Sequence, residues 1–337
     1  MLLLRAIQRA QAKFVDETER MNRLEFAPAQ HDVFFRDVSA SLEGLERAKS
    51  AVRAMGKYVP MDLVRRLYLA KSEPVLGGEM VDVSIMFTDI KGFTTISEQL
   101  SPNELAGALG RYLEVMARII QDECQGTIDK YIGDAIMTIW NAPSPVAQHA
   151  TMACRAALKC LAAGERLSTS PEWRGIPPFV TRFGLHRDRA MVGHYGSPNR
   201  MNYTAIGDGV NLASRLEGLN KQYGTSIMAS ETIREAAGGE FAFRLLDVVA
   251  VKGKSQGVKV YELVGFSSEL TTGRRESIAA YERAFDLYRS RDFKAALAIF
   301  ESLRDDEPSR VLAERCRTLL ATPPQHGWSG VFESTEK

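Results

Sequence analysis

Two aspartates stand at the ends of β-rich runs: Asp89 in Phe87-Thr88-Asp89-Ile90-Lys91-Gly92-Phe93 and Asp134 in Lys130-Tyr131-Ile132-Gly133-Asp134. A carboxylate at a strand tip and another in a neighbouring tight turn can face each other at short range. Such a pair can hold two Mg²⁺ ions about 3.5–4 Å apart and clamp a transferring phosphoryl group. Ile90 and the backbone amides around Gly92, with Phe93 and Thr94, where a helix begins, could cradle a triphosphate. Taken alone, either aspartate is also the kind of residue that closes turns and caps helices.

A third segment narrows the choice. Asn202-Tyr203-Thr204-Ala205-Ile206-Gly207 leads into a helix opening near Asp208, on which Asn211 and Arg215 are four apart and share a face. An amide and a guanidinium there could orient a ribose and stabilise charge developing on a phosphate oxygen. In isolation these are ordinary solvated helix positions; with the two aspartates they read as nucleotide chemistry. His186 and His194 lie near the same region and read as strand or loop structure.

The elements that must position these residues begin at Val81. Val83 to Ile90 reads as a strand. Ser101-Pro102-Asn103-Glu104 has capping-box spacing with Pro at the first helical position and predicts a helix to Glu123, stopped by Gly126. Thr127 to Ile132 and Ala135 to Trp140 flank Gly133-Asp134, a hairpin signal. A helix is expected from Val146 to Leu167. Strands are expected at 179–185, 191–195, 227–229, 243–251 and 258–264, with helices at 208–223 and 231–237. Mixed order and hairpins favour α+β over a doubly wound sheet.

Three stretches flank or end this region. Residues 1–58 are charged and helical in pattern, with Phe35, Val38, Leu42, Leu45 and Val52 forming a coiled-coil seam if Lys49 fills one apolar slot, or else the inner face of a single amphipathic helix. Beyond Ser267 helices are expected at 279–290, 293–304 and 309–320, resembling one tetratricopeptide-like pair plus a third helix. One pair cannot build a solenoid, so it reads as an appendage packed on the core or as a partner-binding module. The tail from Thr322 to Lys337 reads as loose. The division is therefore a helical connector at 1–75, an α+β domain at 76–266 and a helical appendage at 267–337.

The chain has 337 residues, with 43 Lys+Arg against 42 Asp+Glu and 45% apolar residues, enough for a full core and about two domains. A net charge of +1 argues against a nucleic-acid binder. Cys124, Cys154, Cys160 and Cys316 form no CxxC pair and read as buried apolar residues of a reducing, cytoplasmic compartment. No stretch approaches the roughly 18 apolar residues of a membrane span.

On these motifs the chain resembles the catalytic domain of class III nucleotidyl cyclases, the adenylyl and guanylyl cyclase family, over roughly Val81 to Val264. The resemblance is carried by Phe87 to Thr94, Lys130 with Gly133-Asp134, Gly193 to Gly196, Asn202 to Arg215, and Val251-Lys252-Gly253-Lys254. It implies a ferredoxin-like α+β sheet and a head-to-tail homodimer with active sites at the interface. It also implies conversion of a nucleoside triphosphate to its 3′,5′-cyclic monophosphate and pyrophosphate with Mg²⁺ or Mn²⁺, two per site. Residue by residue it makes Asp89 and Asp134 metal ligands together with the Ile90 carbonyl. Asn211 would orient the ribose, Arg215 would stabilise the transition state, and Lys252 would neutralise the terminal phosphates.

Lys130 and Thr204 fall at the base-reading positions. Adenine offers an acceptor at N1 and a donor at N6, and guanine reverses both on that edge. Lys130 only donates and the Thr204 hydroxyl can accept, so the pair suits ATP. Many family members carry Asp where this chain has Thr204; the lysine–threonine pairing resembles a subgroup in which bicarbonate activates. The expected activity is adenylate cyclase, with a guanylate cyclase or a catalytically silent nucleotide sensor as alternatives. The connector resembles the helical element preceding the catalytic domain in bacterial receptor-type cyclases, and residues 10–55 resemble the second half of a HAMP signalling module, implying an upstream sensor as partner.

Overall fold

The computed structural model describes residues 2–28, 35–71, 73–250, 257–325 and 327–333. The chain divides into two compact units, Met1–Pro74 and Val75–Lys337. The first contains α1 (Leu2–Asn22), α2 (Arg36–Met55) and α3 (Met61–Ala70). Ala10 and Glu17 on α1 are buried, as are Leu42 and Lys49 on α2, each pair one heptad apart. The Lys49 ammonium donates to the Glu17 carboxylate, and Arg53 donates to the Phe26 carbonyl. Because both links advance in the same direction, α1 and α2 run in the same sense. Part of the seam is thus used within one chain, and Lys49 occupies its apolar slot only by pairing with a buried carboxylate.

The second unit is built on a mixed sheet. In chain order it runs β1 (Gly77–Ile90), α4 (Phe93–Gln99), α5 (Pro102–Arg118), β2 (Thr127–Ile132), β3 (Ala135–Trp140), α6 (His149–Ser168), β4 (Thr181–Ser197), β5 (Arg200–Ile206) and α7 (Asp208–Tyr223). There follow β6 (Ile227–Ser230), α8 (Glu231–Ala236), β7 (Phe241–Ala250), β8 (Val258–Phe266), α9 (Thr272–Arg289), α10 (Phe293–Ser302), α11 (Glu307–Ala321) and β9 (Phe332–Glu333). The strand order is β2-β3-β1-β4-β6-β8-β7-β9, with β5 paired to β4. The β4–β6 and β7–β9 pairs are parallel and the others antiparallel. This is the expected α+β class.

β1 is buried from Val83 to Met86 because both of its faces are covered. Met86 and Ile90 point into a core with Tyr112, Met116 and the alanine-rich α6; Val83 and Ile85 point the other way, with Ala190, Val192 and Ala213 of α7. A third core joins Leu212, Leu216 and Tyr223 of α7 to Tyr281, Phe285, Phe300 and Leu312 of the C-terminal helices. Those helices bury their apolar faces against α7, β7 and β8.

Several expectations need correction. The helix opened by Ser101, whose capping box forms, reaches Glu123 as expected but is α-helical only to Arg118; Ile119–Glu123 is a π-turn, whose larger number of residues per turn lets consecutive Ile119 and Ile120 both enter the core. The separate strands at 179–185 and 191–195 are one strand, β4. The charged Arg187-Asp188-Arg189 between them stays in the ladder against β1, and Arg187 pairs with Asp82. β5 was not anticipated as a strand. The tail is not wholly loose: Phe332 and Glu333 pair with Val249 and Ala250, and the Trp328 ring packs edge-on against Tyr288 and Phe293. All four cysteines are free and buried, as expected. Among the described residues no helix is long and apolar enough to cross a membrane.

Candidate active site

The carboxylate pair forms where β1 meets the β2–β3 hairpin. Gly133 takes φ +66°, a left-handed turn conformation that glycine adopts without penalty. Thr88 pairs with Ile136 across β1–β3, which brings Asp134 beside the end of β1. There Asp134 Oδ2 accepts the Ile90 N–H at 3.0 Å. Burial raises the Asp134 carboxyl above its ordinary value; the Ile90 amide opposes this and the nearby Asp89 charge adds to it.

Asp89 lies opposite Arg182 in the β1–β4 register, and the Arg182 guanidinium reaches Asp89 Oδ2 at 2.5 Å. Arg182 Nε also lies 3.1 Å from Glu217 Oε1, an ion pair whose angle does not make a hydrogen bond. α7 can approach this closely because residue 184 is glycine: a Cβ there would stand 2.2 Å from the Glu217 backbone nitrogen. Glu217 is pushed up to about 7, first by burial and then by the Asp89 charge, with Arg182 opposing. Two carboxylates, Asp89 and Glu217, thus converge on one guanidinium, with the Asp134 carboxylate close enough to Asp89 to feel its charge. Oxygen donors with surplus negative charge are what a hard divalent cation requires, so Asp89, Asp134 and the Ile90 carbonyl fit such an ion. Arg182 and Glu217 were not singled out from the sequence; they are legible only through the strand register and the helix packing.

Lys130 and Thr204, the pair expected to read the base, also come together. Lys130 Nζ donates to Thr204 Oγ1 at 3.1 Å, although β2 and β5 are not strand neighbours. The Thr204 hydroxyl in turn donates to Asp129, whose side chain is only 1% exposed and whose other oxygen lies 3.2 Å from Lys130 Nζ. Burial pushes Asp129 up while Thr204 and Lys130 hold it down. In a regular strand Asp129 and Lys130 would face opposite sides. The β2–β3 register shifts between Ile128 and Lys130, a bulge that lets both side chains reach Thr204.

Asn211 and Arg215 lie on the exposed face of α7. At about 100° per residue they are roughly 120–160° around the axis from Glu217. Since Glu217 faces the Asp89–Arg182 pair of its own chain, Asn211 and Arg215 turn away from it. Gly92, in the left-handed conformation, caps α4; Gly92 and Thr94 are exposed, whereas the Phe93 ring packs edge-on against Phe179 at 6.2 Å and leaves only its backbone for a ligand. Lys252 lies outside the described residues.

A family model described as the adenylate and guanylate cyclase catalytic domain matches residues 77–265. Adenylate cyclase 1 of Rhizobium meliloti is 36% identical over 276 residues, which are 81% of this chain and 41% of that protein, so the chain spans less than half of its relative. Among solved structures, the adenylyl cyclase CyaB from P. aeruginosa aligns at a TM-score of 0.53 and 31% identity, over 58% of this chain and all of that one. The guanylyl cyclase Cya2 aligns at 0.52 and 29%, over 58% of this chain and 98% of that one. Relatives with either activity share the fold, so the fold leaves the base open. On the match over residues 77–265 and the carboxylate pair at the end of β1, the chain belongs to the class III adenylyl and guanylyl cyclase family.

Proposed function

We propose that the protein is an adenylate cyclase, converting ATP to 3′,5′-cyclic AMP and pyrophosphate at sites shared across a head-to-tail homodimer. The contact between Lys130 Nζ and Thr204 Oγ1 carries this reading, because it sets a donor beside a hydroxyl that is able to accept, a pair that can complement the adenine N1 and N6 edge. The ribose 3′-hydroxyl gives its proton to solvent as its oxygen bonds to the α-phosphorus, and the bond from that phosphorus to the bridging oxygen breaks to release pyrophosphate. Asn211 holds the ribose, Arg215 meets the charge growing on the α-phosphate oxygens, and the amides of Gly92, Phe93 and Thr94 with Lys252 hold the remaining phosphates. Asp89, Asp134 and the Ile90 carbonyl would hold Mg²⁺ or Mn²⁺, two per site. Such ions supply a lowered pKa for the attacking hydroxyl and neutralisation of phosphate charge.

The homodimer is supported by the two faces of α7. Glu217 faces the carboxylate pair of its own chain, so Asn211 and Arg215 serve the pair of a second copy. Exposed Tyr131, Ile132 and Ile206 add an apolar surface on the hairpin and on β5 for that copy to cover. Residues 1–75 act as the connector through which an upstream sensor would set the angle between catalytic protomers, 76–266 as the catalytic domain, and 267–337 as its helical support. The test is to incubate the purified chain with Mg²⁺ or Mn²⁺ and either ATP or GTP and to assay cyclic nucleotide and pyrophosphate. Cyclic AMP as the main product is expected. ATP binding without product under either metal would favour a silent nucleotide sensor, and cyclic GMP as the main product would make it a guanylate cyclase.

A further inference from the structure

A threonine hydroxyl is an ambiguous reader of a base edge. It holds one proton and can turn it toward a guanine O6 as readily as it can offer a lone pair to an adenine N6 amino group. Lys130 does not remove the ambiguity: an ammonium only donates, so it occupies one Thr204 lone pair at 3.1 Å and leaves the direction of the hydroxyl proton undecided.

We propose that Asp129 is the positioning residue that fixes the Thr204 hydroxyl as an acceptor and so sets the preference for adenine over guanine. This rests on the adenylate cyclase reading of the same site. Thr204 donates its one proton to Asp129 Oδ2. The other acceptor in reach, the Ala205 carbonyl, is 3.4 Å away, beyond the usual length of an O–H···O bond. With one lone pair taken by Lys130 and the proton taken by Asp129, what Thr204 has left to offer a ligand is a lone pair. The arrangement is built: the Asp129 side chain is 1% exposed, Thr204 is buried, and the bulge between Ile128 and Lys130 brings a residue of the wrong strand parity to the same side as Lys130. The Lys130 ammonium 3.2 Å from Asp129 opposes the burial of the carboxylate and so favours its acceptor form. An acidic group one position before the lysine thus does through a hydroxyl what an aspartate at position 204 would do directly.

The experiment measures kcat/KM for ATP and GTP in the wild type, Asp129→Ala, Thr204→Val, the double variant, and Asp129→Ala/Thr204→Asp. Asp129→Ala should lower the ATP-to-GTP ratio about tenfold and leave the ratio of Thr204→Val unchanged when added to it. Moving the carboxylate to position 204 should restore the ATP preference. Equal losses on both nucleotides, or the same fall in ratio in the Thr204→Val background, would overturn the proposal. Should Asp129→Ala not fold, Asp129→Asn, whose amide can either give or take the proton, allows the same comparison. If the wild type turns over neither nucleotide yet binds ATP over GTP in a competition assay, and Asp129→Ala abolishes that preference, the catalytic reading fails and the role of Asp129 stands.

Discussion

Arg315 on α11 donates to the Tyr223 hydroxyl at 3.1 Å, joining the last helix to the end of the helix that carries Asn211 and Arg215. Both residues converge on Asp247, which is wholly buried and accepts from each at 2.5 Å. The Arg315→Ala substitution would leave a buried carboxylate without this counter-charge. A loss of about 3–5 kcal/mol in urea unfolding is expected. A loss under about 1 kcal/mol would show that the network contributes little.

The C-terminal helices share a core with the sheet. Ending the chain at Ser267 would uncover Leu212, Leu216, Leu246 and Val248 by removing Tyr281, Phe285, Phe300 and Leu312. The shortened chain is expected to bind a hydrophobic dye and to lose its near-ultraviolet circular dichroism. A soluble, fully active chain ending there would mean that the helices are dispensable for the fold.

If each site draws on two protomers, Asp89→Asn and Arg215→Ala should each reduce activity at least about 100-fold. Mixing the two should then restore about a quarter of wild-type activity, because half of the randomly formed dimers are mixed and each holds one intact site of two. Heterodimers shown to form but without activity would locate the site within single chains.

Glu217 offers a pH signature. Its folded-state value, about 7, lies above its ordinary 4.5, so the stability linked to its protonated form is full below pH 4.5 and is lost as pH rises through 7. In EDTA, urea stability of the wild type should fall between pH 5 and 8 more steeply than that of Glu217→Gln. Parallel curves for the two proteins would count against a carboxyl held protonated beside Asp89.

Much of the site was legible because its signals are local. The hairpin at Gly133-Asp134 lies where the turn residues and flanking β-rich runs put it, and α7 opens at Asp208 and runs to Tyr223. The capping box at Ser101 and Glu104 forms as its spacing required. The failures were non-local. β4 continues through Arg187-Asp188-Arg189 because β1 supplies partners for its backbone and Asp82 supplies one for Arg187, neither of which is visible within the segment. The end of the tail is ordered by pairing with β7, far away in sequence.

The amino-acid sequence by itself determined which groups are present and their local order: Asp89, Asp134, Lys130, Thr204, Asn211 and Arg215 on recognisable elements of an α+β chain. Only the tertiary structure decided which of them meet and what stands behind them. Arg182 joins Asp89 through strand register, Glu217 joins Arg182 because Gly184 admits the helix, and Asp129 reaches Thr204 through a one-residue bulge. Side-chain direction along a strand follows a period of two that one added residue reverses, and the pairing that fixes where this happens lies in other parts of the chain.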